Sequence, residues 1–287
     1  MLIKIAKREK MNKPISINSY FKKHNLNIKD FDEFEIFIIE IGLKEGLDVF
    51  WYADPDFTGE QMLQICLGLY FRLDVSWYAK PVYLPEQMEL IRKGLKDNLD
   101  VKWYANPRLS TGQMKEIYLG LKEGLKVKWY ADRKFSIDQM YEIRQGLKQG
   151  LKVKWYASHK LNIYQMQQIR WGLEEGLDVS KYYDRSFDEE QMYEIRQGLK
   201  EGLDVKWYAK NNLIAEKMKI IHQGLKEGLD VFWYAERTYS PEQMEEIYLG
   251  LKEGLDVSKY AAIAVHWKQM RKWRTKLREE KYENTQI

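Results

Sequence analysis

A tyrosine returns every 26 residues along most of this chain: Tyr52, Tyr78, Tyr104, Tyr130, Tyr156, Tyr182, Tyr208, Tyr234 and Tyr260. A methionine keeps the same step, from Met62, Met88 and Met114 through to Met244 and Met270. Self-similarity at a fixed period of this size specifies a row of small supersecondary units. None of them can bury its apolar face alone, so each must stack on its neighbours. At 287 residues, length alone would suggest one or two ordinary domains. The period overrides that expectation and predicts an all-α fold, an α-solenoid of nine two-helix, 26-residue repeats with helical caps.

The units begin at Phe31, Phe57, Tyr83, Leu109, Phe135, Leu161, Phe187, Leu213 and Tyr239, and the repeat region spans 31–264. In the second unit Thr58 and Gln61 have the spacing of a capping box, and Phe57 and Met62 that of a hydrophobic staple. Met62, Ile65, Leu69 and Leu73 recur at helical spacing, which predicts a helix of roughly 14 residues. Most units carry GLxxGL. Its second glycine, as in Gly202, predicts a left-handed helix stop with the following leucine folded back. Asn98 can replace it, whereas Arg72 is expected to make an irregular turn. Leu84 and Ile214 lack a capping side chain, and Lys217 replaces the usual glutamine, so the eighth unit is expected to start most loosely.

The first glycine of the motif, as in Gly198, lies inside the helix, where each glycine costs about 1 kcal/mol relative to alanine. Such a cost recurring in every unit predicts a close approach at that point. The large residues on the opposite flank (Arg92, Tyr118, Arg144, Arg170, Arg196 and Tyr248) are expected to pack over a neighbour's glycine. After the stop, a segment such as Asp204–Ala209 predicts a short second helix capped by its aspartate. Residues 1–30 depart from the repeat and read as a basic leader followed by a helical cap near Ile15–Asn25. Residues 265–287 read as a basic C-terminal capping helix with Trp267, Met270 and Trp273 over the open end, its last residues frayed.

Charge is placed in blocks. Net charge is +6 over 1–30, −8 over 31–100, +8 over 101–160, −6 over 161–260 and +4 over the tail. One cysteine, Cys66, excludes an internal disulfide framework. No signal-peptide pattern and no long apolar run appear, so a cytoplasmic protein without a membrane span is expected. The four histidines, His24, His159, His222 and His266, lack partners at metal-ligand spacing. Nothing in the pattern calls for a cofactor or points to a reaction, and the chain is expected not to be an enzyme. The recurrent aspartates, from Asp48 to Asp256, are explained as helix caps.

The row Trp51, Trp77, Trp103, Trp129, Trp155, Trp207 and Trp233 is replaced by Lys181 and Lys259 in two units, so its position is at least partly exposed. The tryptophans either cover the seam to the next unit or form an exposed aromatic ladder. Lys102, Lys128, Lys154 and Lys206 each precede a tryptophan, and Lys126 and Lys152 stand nearby. Lys102, Trp103, Lys126, Lys128, Trp129, Lys152, Lys154, Trp155, Lys206 and Trp207, with Arg144, Arg170 and Arg196, make the candidate binding set. Regular Lys-Trp pairs suit either a protein hot-spot strip or a single-stranded nucleic acid. The acidic flanking units favour the protein, because a long nucleic-acid track needs one sign of charge throughout. Positions where units differ, such as Glu245, Tyr248, Ser258 and Lys259, are where function is to be sought.

Over 31–261 the unit QMxxIxxGLxxGLDVxxYA resembles a tandem repeat of Gram-positive gut bacteria and their mobile elements. That resemblance implies a structural unit without assigned activity or site residues. Taken together, the sequence predicts a non-enzymatic scaffold engaging a protein partner, a host or competing-element factor if the mobile-element association holds. The alternative is a single-stranded RNA or DNA binder.

Overall fold

The computed structural model describes residues 16–236 and 238–285. The expected basic leader and Ile15 lie outside them. Eleven α-helices and no strands occur among the described residues. The chain divides into two compact units, Met1–Arg144 and Gln145–Ile287.

The first unit contains α1 (Ile17–His24), α2 (Glu33–Lys44), α3 (Gly59–Tyr70), α4 (Pro85–Lys96) and α5 (Thr111–Lys122). It also holds the first part of α6 (Ile137–Lys148). The second contains α7 (Ile163–Glu174), α8 (Glu189–Lys200), α9 (Ala215–Lys226), α10 (Pro241–Lys252) and α11 (Trp267–Thr285). Within each unit, successive helices pack pairwise as an α-solenoid array.

The expected helix starts are present. Thr58, Ser110, Asn162, Asp188 and Ser240 each accept a hydrogen bond from the backbone of the glutamine three residues on. The repeat helices are 12 residues long, and each leads into a three-residue 3₁₀ turn rather than a second α-helix. Asp204 caps that turn by accepting from the Lys206 amide, and Asp48, Asp74, Asp178, Asp230 and Asp256 do the same. Lys126 and Lys152 supply no cap, and Asp100 instead pairs with Lys102 at 2.6 Å. Ile214 also supplies no cap, whereas at Leu84 the Gln87 side chain still accepts the backbone amide at 2.9 Å.

Gly202 has φ +72°, and Leu203 donates back to the Gly198 carbonyl at 2.8 Å. Arg72 takes the same left-handed conformation, φ +58°, and Leu73 still bonds to Gly68 at 2.9 Å. The irregular turn expected there is therefore regular. The closing backbone bond and the leucine behind it hold the arginine in a conformation that ordinary side chains disfavour.

The interior glycine has a different neighbour from the one expected. A Cβ on Gly198 would stand 1.8 Å from the hydroxyl of Tyr208, the tyrosine of its own unit, and 3.1 Å from Val205. Tyr208 folds back over its own helix, and its hydroxyl donates to the Glu194 carbonyl at 3.3 Å. Tyr52, Tyr78, Tyr104, Tyr130, Tyr182 and Tyr260 make the equivalent bond 14 residues upstream. Glycine recurs because only hydrogen leaves room for that phenol. With the methionine and isoleucine of the helix and the valine of the turn, the tyrosine forms a fully buried seam.

Adjacent units are tied by the glutamine of the capping box. Gln191 accepts from the Asp188 amide with its Oε1, and its Nε2 donates to the Leu213 carbonyl of the next unit at 2.8 Å. Glutamate could complete the box, but only the amide carries the second donor. Gln61, Gln87, Gln113, Gln165 and Gln243 repeat the clasp.

Candidate binding groove

The large residues opposite the glycines occupy a seat against the preceding unit. Arg196 on α8 donates from Nε to Gln168 at 2.9 Å and from Nη1 to Glu175 at 2.8 Å, both on or just after α7. Lys200 completes Glu175 at 2.8 Å. Together the two cations hold the Glu175 carboxyl below its ordinary value against the cost of burial. Arg144 fills the equivalent seat against Glu116 and Glu123, and Arg274 against Glu246 and Glu253. His222 does so with Nδ1 on Glu194 at 2.8 Å and Nε2 on Glu201 at 3.1 Å. Hydrogen bonds to both carboxylates raise the imidazole pKa, Glu194 contributing most. Tyr118 and Tyr248 follow units whose acceptor is replaced by Leu90 or Ile220; they donate to Asp97 and Glu227 and accept from Lys122 and Lys252.

Arg144 and Arg196 are therefore buried in inter-helix ion pairs, although the sequence had placed them in a ligand-binding set. Arg170 pairs with Glu174. The remaining members of that set divide into paired and exposed groups. Lys102 and Lys206 are paired with Asp100 and Asp204. Lys126 and Lys128 in the first compact unit, and Lys152 and Lys154 in the second, are exposed. Trp103 and Trp129 are each 36% exposed, and Trp155 and Trp207 are half-buried. Trp155 meets Tyr183 of the following repeat edge-on at 4.7 Å, with Lys154 5.3 Å from its ring. Trp155 thus meets the following repeat, and the rings of the row remain partly exposed.

Concavities of the second unit lie elsewhere, over α7 to α11. The first, about 540 Å³, is lined by Tyr164 and Trp171 of α7, Tyr193 and Glu194 of α8, and Glu216 and Lys219 of α9. A second, about 530 Å³, shares Glu216 and Lys219 and continues over Glu242, Glu245 and Trp267. A third, over α11, shares Trp267 and Arg271 with the second. The three form one continuous groove.

Tyr164 is 61% exposed and Tyr193 45%. Neither ring serves the core. Arg196 lies 5.4 Å from the Trp171 ring and 5.9 Å from Tyr193, so a guanidinium of the protein already sits against both aromatics. Desolvation, together with the neighbouring Glu246 carboxylate, raises the pKa of Glu245. The sequence marked Glu245 as a position where units differ. The aromatic groove it borders was not identified, although the change from charged or polar residues to Tyr164 and Tyr193 at exposed helical positions was a readable signal.

Among the described residues no group of His, Cys, Asp and Glu is arranged to hold a metal ion, and no helix is long and apolar enough to cross a membrane. Comparison with protein-family profiles, curated proteins and solved structures returns no match.

Proposed function

We propose that this protein is a non-enzymatic helical-repeat scaffold that binds a protein partner in the groove over α7 to α11. The observation that carries the reading is the pair of exposed tyrosines, Tyr164 and Tyr193, at the mouth of a cavity flanked by Glu190 and Glu216. Exposed aromatics clustered in a concavity mark an interaction surface rather than a folding requirement. The carboxylates repel a phosphate backbone. The expected Lys-Trp track also weakens as a nucleic-acid site, because Lys102 and Lys206 are neutralised within their own turns.

Affinity purification of the wild-type chain beside a Tyr164→Ser/Tyr193→Ser variant tests the reading, with both protein and nucleic acid analysed in each eluate. The expected result is a polypeptide retained by the wild type and lost by the variant, with matching melting temperatures. Recovery of nucleic acid instead, or equal retention of the polypeptide by both, overturns it.

A further inference from the structure

The groove carries a repeated code along its length. The fourth residue of each unit, the second of its helix, forms a row of Tyr164, Glu190, Glu216, Glu242 and Lys268 on α7 to α11. All five border the concavities. Among the described residues Glu190 and Glu216 have no ion pair or hydrogen bond. Glu242 is held by the Ser240 hydroxyl at 2.7 Å but remains open to solvent.

Glutamate near a helix start also suits the positive end of the helix dipole. That accounts for one carboxylate per helix. It does not account for Lys268, which stands against the dipole at the same position, nor for Tyr164 in the first place of the row. The sign of the row is thus not set by helix stability alone.

Packed helices stand about 8–10 Å apart. A polyproline-II segment has three residues per turn and rises about 3.1 Å per residue, so every third side chain returns to the same face after about 9 Å. A bound α-helix would need an apolar stripe to bury. The middle of the groove is lined by Glu216, Lys219 and Gln223, with Ala215 and Ile220 its apolar residues on α9.

We propose that the groove holds a polyproline-II segment of a partner protein in which Lys or Arg recurs every third residue, followed one step later by an acidic residue. An arginine would lie on Tyr164, as Arg196 lies on Trp171 and Tyr193. Three further cations would meet Glu190, Glu216 and Glu242, and the acidic residue would meet Lys268. The pattern is Arg-x-x-Lys-x-x-Lys-x-x-Lys-x-x-Glu or its reverse. This assignment rests on the protein-binding reading and specifies its ligand.

The test uses fluorescein-labelled RSSKSSKSSKSSE, its reversed sequence, and composition-matched peptides with cations every second or every fourth residue. Binding to the full chain is read by anisotropy at physiological salt. One order of the three-residue peptide is expected to bind at least tenfold more tightly than every other spacing. Glu216→Lys should remove at least tenfold of that affinity, and Lys268→Glu should erase the preference for a terminal glutamate. Tyr164→Ser, which leaves the charge row untouched, should also weaken binding and so guards against a purely ionic effect. Equal binding at all spacings, or no binding, overturns the proposal. If the peptides fail while Tyr164→Ser/Tyr193→Ser still loses a captured polypeptide, the spacing code falls and the protein-binding reading stands. If both experiments fail, both fall.

Discussion

Two regions of each repeat differ in what they tolerate: one closes the repeat on itself, and the other seats it on the preceding repeat. The buried pairing of glycine with tyrosine is the same across units, from Gly42 with Tyr52 to Gly250 with Tyr260. The lateral seat accepts Arg144, Arg196, His222, Tyr118 or Tyr248. The seam is dry and closely packed, so volume decides what fits. The seat lies at the edge, where a donor of several shapes can meet the carboxylate beneath it. The difference teaches that the repeat is closed on itself by shape and is seated on its neighbour by hydrogen-bond pairing.

The seam is the harder region to alter. Gly198→Ala is expected to cost about 3 kcal/mol, since no small shift relieves a methyl 1.8 Å from the Tyr208 hydroxyl. Tyr208→Phe alone should cost about 1 kcal/mol through its lost hydrogen bond. Added to Gly198→Ala it should recover much of the loss, because the nearest ring carbon is 3.1 Å away. Urea unfolding of the four proteins measures the coupling, and additive costs would show that the clash is not with the hydroxyl.

At the seat, Arg196→Ala is expected to cost about 2 kcal/mol, less than the alanine at Gly198, because Lys200 still holds Glu175. Thermal and urea unfolding of the same series ranks the two. A seat cost larger than the seam cost would reverse the comparison.

His222 gives the smallest and most selective effect. Glu194 and Glu201 face the imidazole, Lys226 shares Glu201, and Tyr208 stacks on the ring. Its folded pKa is raised, so protonation contributes stability that is complete below the unfolded value, about 6.5. That contribution is lost as pH rises through the folded value. His222→Arg should flatten this part of the stability profile above about pH 6.5 while changing stability little at pH 5. An unchanged slope in the variant would place the dependence in other groups.

Much of the fold was legible because the chain is its own alignment. The step from Tyr52 to Tyr260 fixed the unit, and Thr58 with Gln61 fixed the helix start. The target of the tyrosine was not legible. A helical wheel shows a gap beside Gly198 but not which side chain enters it, and Tyr208 reaches back through a 3₁₀ turn whose path the spacing does not define. The seat was readable in principle through pairs 28 residues apart. Gln64, Glu116, Gln168, Glu194 and Glu246 are followed by Arg92, Arg144, Arg196, His222 and Arg274, whereas Leu90 and Ile220 are followed by Tyr118 and Tyr248. The binding groove was least legible, since its aromatics are sparse and its row of charges coincides with helix-start preferences.

The glutamine clasp gives the chain a reading frame. Gln165, Gln191 and Gln243 each reach backbone carbonyls 20 and 22 residues ahead. One residue gained or lost between hook and target would misalign that junction, whereas a whole 26-residue unit gained or lost would leave every hook with its target. Copy number is then the variable that duplication can change freely, and the ends are unequal. A cut after Gln243 strands an outstretched amide donor, whereas removing the chain up to a unit's first residue takes away the hook and leaves only a carbonyl for water to satisfy.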